Sequence, residues 1–177
     1  MDKDTRNIID YYHYWNNEAI VADLDTKRYN FSILCSNIGY DFNLSSVVRS
    51  SNAFLAKEVI IYGRKKYDKR AAVGTHNYTH FKHVKETDNL DEVFSEFDLV
   101  VGIDNIDTAK PIENFKWDNN IKTLICFGQE QIGLPQEVIQ RCHHLLYIKQ
   151  YGSVRSLNVG CASAIVMYDY CNKVSSK

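Results

Sequence analysis

At 177 residues the chain has the length of one domain, with little room for a second. Hydrophobic residues make up 45% and aromatics 12%, and two prolines and eight glycines argue against a disordered or repetitive chain. A formal net charge of −1 argues against a wide phosphate-binding footprint but not against a local basic patch, and no apolar run approaches the ~18 residues of a membrane span.

Residues Met1 to Arg6 are charged and no apolar stretch follows them, so they do not read as a secretory signal, and a cytoplasmic protein is expected. Residues 1–30 read as a short N-terminal extension, a helix and a loop packed on the main domain. Its Tyr11, Tyr12, Tyr14 and Trp15 either cover an edge of the core or offer faces for stacking a nucleobase. Phe31–Cys35 is a short apolar strand, and Asn37–Asn43 a loop with Gly39. The spacing of Leu44, Val47, Val48, Ser51 and Phe54 or Leu55 predicts a helix over 44–55, with Asn43 at its N-cap. Glu58–Tyr62 is a second strand, closed by Gly63. Arg64-Lys65-Lys66-Tyr67-Asp68-Lys69-Arg70 is the one dense basic cluster, either a solvated helix face or a phosphate-contacting surface.

Phe81–Val84 reads as a strand and Leu90–Phe97 as a helix. Leu99–Ile103 and Thr123–Phe127 are strands of the buried type, Pro135–Arg141 is a short helix, and Leu145–Ile148 is a last strand. Arg155–Cys171 reads as a long helix whose apolar face carries Leu157, Cys161, Ala164, Ile165 and Tyr168. Short apolar strands alternating with helices imply an α/β fold, a parallel sheet with helices on both faces. Such sheets bind ligands beyond the C-terminal ends of their strands.

The five cysteines, Cys35, Cys126, Cys142, Cys161 and Cys171, are odd in number and widely spaced, as buried free thiols are. Cys142-His143-His144 and His80-x-x-His83 carry metal-ligand side chains but lack a matching Cys-x-x-Cys, so no metal is expected. There is no G-x-G-x-x-G and no Walker loop, which leaves an ordinary dinucleotide or ATP site unsupported.

Two blocks near the C-terminus suit another task. One is Phe127-Gly128-Gln129-Glu130-Gln131-Ile132-Gly133-Leu134-Pro135 and the other Tyr151-Gly152-Ser153-Val154-Arg155-Ser156-Leu157-Asn158-Val159. Each follows a strand, so together they can form one pocket. Glycines at 128, 133 and 152 would let main-chain groups approach an adenine and a ribose closely, or would merely make turns. Ile103, Ile148 and Leu157 can supply apolar walls.

The order and spacing of these blocks resemble motifs 2 and 3 of the SpoU (TrmH-like) RNA 2′-O-ribose methyltransferases of the SPOUT superfamily. Asn43-Leu44-Ser45-Ser46-Val47-Val48-Arg49 resembles motif 1, with Ser45 where Gly is usual, and Ser50-Ser51-Asn52-Ala53-Phe54 resembles the small-residue stretch after it. The resemblance spans roughly residues 31–172 and implies a methyltransferase domain over 31–177. It implies S-adenosylmethionine, bound in a bent form in a deep C-terminal trefoil knot, with about residues 150–172 threaded through the preceding loop. It also implies a homodimer whose active site is completed across the interface, and a tRNA or rRNA substrate.

By position, Arg49 is the family's catalytic arginine, which the resemblance implies binds the RNA phosphate and helps lower the hydroxyl pKa or passes the proton to that phosphate; on its own sequence context it reads as a surface salt bridge. Glu130, Ser156 and Asn158 would orient that arginine and the sugar, and Asn43 would fix the motif-1 loop. Ile103, Gly128, Ile148 and Leu157 would hold the cofactor, and Arg64, Lys65, Lys66 and Arg155 would contact RNA. One departure is Ile148-Lys149, where the family usually has Ile-Pro. Lys149 and Ser45 motivate the alternative, a non-catalytic RNA-binding protein of the same fold. Base methylation is a third option, against which the Ser156-Leu157-Asn158 turn favours the ribose branch.

Overall fold

The structure is a computed structural model and describes residues 4–36, 41–129 and 132–175. Its elements in chain order are α1 (Asn17–Asp25), β1 (Phe31–Ser36), α2 (Asp41–Ala53), β2 (Val59–Tyr62), β3 (Phe81–Val84), α3 (Leu90–Phe94), β4 (Leu99–Ile103), β5 (Lys110–Pro111), β6 (Thr123–Phe127), α4 (Gln136–Ile139), β7 (His144–Tyr147) and α5 (Val159–Ser175). The strands form one seven-stranded sheet in the order β3-β2-β1-β6-β4-β7-β5, parallel throughout.

Strand alternation sorts the core onto two faces. Phe31, Ile33 and Cys35 of β1, with Ile125 and Phe127 of β6, face Val47 and Val48 of α2 and Val166, Met167 and Tyr170 of α5. Leu34, Leu124 and Cys126 face the other way, onto Leu90, Val93 and Phe94 of α3 and Val138 of α4. β1 and β6 are buried along their whole length, as central parallel strands covered on both sides must be. All five cysteines are free thiols, and burial pushes that of Cys35 up to about 12.

The N-terminal segment packs Tyr12, Ile20 and Leu24 against Tyr78, so it covers an edge of the main domain. Tyr12 donates to Asp23 Oδ2 at 2.6 Å, whereas Tyr11 and Tyr14 stay exposed. Asn16 caps α1, accepting from the Ala19 amide at 2.7 Å.

Several boundaries differ from those expected. α2 begins at Asp41, so Asn43 lies inside the helix and is not its N-cap. Part of the expected loop 37–43, with Gly39, lies outside the described residues. α3 ends at Phe94, where Ser95 closes it, and β7 stops at Tyr147, leaving Ile148 beyond the strand. α5 begins at Val159, which leaves 155–158 in a loop. Its buried face carries Val159, Ser163, Val166, Met167 and Tyr170, while Cys161, Ile165 and Tyr168 of the expected face are exposed and Ala164 is half-buried. The helix carries two apolar stripes, and periodicity alone could not choose between them.

His80 and His83 serve separate partners: His80 Nε2 pairs with Asp25 at 2.8 Å, and His83 Nε2 lies 2.8 Å from the Gly63 carbonyl. His143 Nδ1 accepts from the Val100 amide at 2.9 Å. No helix among the described residues is long and apolar enough to cross a membrane.

Candidate functional site

β4, β6 and β7 end together, at Ile103, Phe127 and Tyr147, and beyond their C-terminal ends lies a cavity of about 310 Å³. Ile103, Ile148 and Leu157 supply apolar wall, while Gly128, Gln129 and Ser156 supply main-chain and polar groups. All four residues expected to hold a cofactor, Ile103, Gly128, Ile148 and Leu157, line this one cavity, and so do Arg155 and Ser156. Gly152 does not line it, and a Cβ there would meet nothing within 4 Å.

The glycines of the first loop work differently from the expectation. A Cβ on Gly128 would lie 2.1 Å from the Gly133 carbonyl carbon and 2.2 Å from the Leu134 nitrogen. The close approach that Gly128 permits is therefore first to its own loop. Gln129 and Gly133 exchange backbone hydrogen bonds of 3.0 and 2.9 Å, which draw the loop's two ends together. Gly133 holds φ +70, in the left-handed region that favours glycine. Glu130 lies between them, outside the described residues.

Two residues the sequence motifs did not flag lie at the centre of this arrangement. Asp104 Oδ2 accepts from the Leu134 amide at 2.8 Å, and Asn105 Nδ2 donates to the Arg155 carbonyl at 2.9 Å. They directly follow β4 and line the cavity. The readable signal was an acidic-amide dipeptide at a parallel strand's C-terminal end, where ligand sites form.

Motif 1 meets motif 3 through Asn43, whose Oδ1 accepts from Asn158 Nδ2 at 2.7 Å. Arg49 is exposed on α2 and is not among the described residues lining the cavity. Lys149, which replaces the usual Pro, is exposed, and its ammonium sits 5.3 Å from the Tyr151 ring centroid.

Arg64, Lys65 and Lys66 are exposed in an irregular segment between β2 and the 3-10 turn Arg70–Ala72, so the cluster is not a helix face. The segment is anchored. Tyr67 packs on the core, where burial raises its phenol pKa. The buried Ser45 hydroxyl donates to the Asp68 carbonyl, and Asp68 pairs with Arg70. Ser45 thus gives the chain a tether that glycine could not provide.

Residues 30–168 match the sequence profile of the SpoU rRNA Methylase family. A tRNA (guanosine(18)-2′-O)-methyltransferase of Aquifex aeolicus is 25% identical over 82% of this chain and 71% of its own length. An uncharacterized tRNA/rRNA methyltransferase of Haemophilus influenzae is 24% identical over 79% of this chain, which spans only 62% of that relative. Among solved structures, the SpoU methyltransferase AviRb of Streptomyces viridochromogenes in complex with AdoMet has a TM-score of 0.71 and 24% identity, covering 85% of this chain and 60% of that one. The profile covers the sheet and both motif loops, and the chain belongs to the SpoU rRNA Methylase family.

Proposed function

We propose that the protein transfers a methyl group from S-adenosylmethionine to a ribose 2′-hydroxyl of tRNA or rRNA. The observation that carries this reading is the cavity at the ends of β4, β6 and β7, lined by residues of both motif loops. Its volume of about 310 Å³ reaches the lower end of small-molecule sites, roughly 300–1,000 Å³. Its apolar walls suit an adenine, and its polar groups suit a ribose and an amino-acid tail. The names of relatives agree, since the Aquifex protein is called a tRNA 2′-O-methyltransferase and the AviRb structure holds AdoMet.

Bound S-adenosylmethionine would supply an electrophilic methyl group. The chain's residues do the rest. Ile103, Gly128, Ile148 and Leu157 hold the cofactor. Arg49 binds the phosphate beside the target ribose and favours loss of the hydroxyl proton, which passes to that phosphate because a guanidinium is no free base. Ser156, Asn158 and Glu130 orient arginine and sugar, and Asn43 fixes motif 1 through its bond to Asn158. Arg64, Lys65, Lys66 and Arg155 contact RNA phosphates, and the tethered conformation of the 64–70 segment supports that role.

The protein acts as a homodimer. Its support is the exposed apolar stripe of α5, with Ile165 at 42% and Tyr168 at 61% exposure. Arg49, which lies off the cavity of its own chain, then reaches the partner's site. The C-terminal segment forms the family's trefoil knot, a reading supported by the position of β7 between β4 and β5, the two strands that the 104–109 connection joins. Residues 1–30 form the extension and 31–177 the methyltransferase domain. Free thiols fit a cytoplasmic protein. Titration calorimetry with S-adenosylmethionine, followed by methyl transfer to bulk RNA, tests the reading. Tight binding without transfer would favour the non-catalytic alternative.

A further inference from the structure

The two motif loops meet on one dipeptide that belongs to neither. The Asp104 carboxylate holds the first loop through Oδ2, 2.8 Å from the Leu134 amide, and its own backbone through Oδ1, 2.8 Å from the Asn105 amide. The Asn105 side chain holds the second loop, donating to the Arg155 carbonyl at 2.9 Å. Asp104 is in turn fixed to the sheet, because its amide donates to the Leu146 carbonyl of β7 at 3.0 Å. The fit is close: a Cβ on Gly133 would lie 2.4 Å from Asp104 Oδ2. A charged acceptor on a backbone N–H forms one of the stronger hydrogen bonds in proteins. Loops of this kind are otherwise the first parts of a fold to open.

We propose that Asp104 and Asn105 are positioning residues for the cofactor. They tie Leu134, at the end of the first motif loop, and Arg155, in the second, to the end of β4. Both cavity walls are then set before a ligand arrives, which removes ordering cost from binding. The inference rests on the reading of this cavity as the S-adenosylmethionine site. It adds a requirement that neither motif contains: the two walls are coupled, so loosening one loosens the other.

The test uses the full chain with Asp104→Ala, Asp104→Asn, Asn105→Ala and the Asp104→Ala/Asn105→Ala double variant. Affinity for S-adenosylmethionine is measured by calorimetry, and Leu134 amide exchange is followed without ligand. Asp104→Ala is expected to weaken binding about 10- to 100-fold, the range for losing a charged hydrogen bond. Asp104→Asn, whose amide oxygen can still accept from Leu134, recovers part of that loss. A role confined to general stability would show no such recovery in affinity at equal thermal midpoint. The double variant loses less than the product of its single losses, because the walls act together. Leu134 exchanges faster in ligand-free Asp104→Ala. Where Asp104→Ala does not fold, Asp104→Asn and Asn105→Ala carry the same measurements. Binding within twofold of wild type in Asp104→Ala overturns the proposal, and so does a fully multiplicative loss in the double variant. Unchanged Leu134 exchange overturns the clamp alone. Wild-type protein that binds no S-adenosylmethionine overturns the functional reading and the cofactor role together.

Discussion

Asn158 donates through Nδ2 to Oδ1 of Asn43 at 2.7 Å, across 115 positions of sequence. The oxygen of the same Asn158 amide accepts from Gly160 N at 2.9 Å and from Cys161 N at 3.4 Å. One side chain therefore caps α5 and pins it to α2, beside the cavity. Because backbone donors hold the oxygen, the nitrogen must face Asn43.

Separate substitutions split these two roles. Asn158→Ala loses the cap and one partner of the buried Asn43 amide, an expected cost of about 2–3 kcal/mol. Asn158→Ser keeps a capping oxygen and loses the bridge, at about 1 kcal/mol. Urea unfolding measures both. Equal losses would mean that the cap contributes nothing.

Gly128 and Gly152 should respond oppositely to the same change. Gly128→Ala puts a methyl 2.1 Å from the Gly133 backbone, so the first loop must rearrange, and cofactor affinity is expected to fall below detection. Gly152→Ala meets nothing within 4 Å and should leave affinity unchanged and stability within about 0.5 kcal/mol. Calorimetry and thermal melts decide, and a silent Gly128→Ala would separate the loop from the cofactor.

The exposed stripe of α5 gives the dimer prediction. A sedimentation mass of twice 20.5 kDa is expected for wild type at micromolar concentration. Tyr168→Glu and Ile165→Asp each place a charge on that stripe and should yield folded monomers. A wild-type monomer would contradict the assembly, and a dimer that survives both changes would move the interface elsewhere.

His76 lies in the 3-10 turn Thr75–Tyr78, its Nδ1 buried without a partner among the described residues. Burial, with Lys69 nearby, holds its pKa below 6.5. Below that pH the unfolded chain binds the proton more readily than the folded one. Its contribution to stability is thus complete above pH 6.5 and declines as pH falls towards the folded value. Urea midpoints from about pH 7.5 to 5 should fall less steeply in His76→Gln than in wild type. Identical slopes would assign the acid sensitivity to other groups.

The central strands were legible in the sequence because burial on both faces leaves them almost wholly apolar, and β4 and β6 match the expected spans, as does the edge strand β3. Of the residues around the cavity, Gly128, Arg155, Ser156 and Leu157 were legible through motif spacing. Helix α5 begins four residues later than its periodicity implies and buries its other apolar stripe, because both stripes satisfy the same period. Local spacing does not reveal the role of Asp104 and Asn105, whose partners lie 30 and 50 positions away. The meaning of Ser45 was equally hidden, since its partner is a backbone carbonyl in a segment with no regular structure.

The most direct test of the account supplies S-adenosylmethionine with a deuterated methyl group to the protein and to unmodified tRNA and rRNA, then digests the RNA and analyses its nucleosides by mass spectrometry. Wild type should place the label on a ribose 2′-oxygen. Arg49→Ala should lower the rate on the order of 10²–10³ while binding the cofactor as before. Label on a base, or cofactor binding with no label in any RNA, would contradict the account.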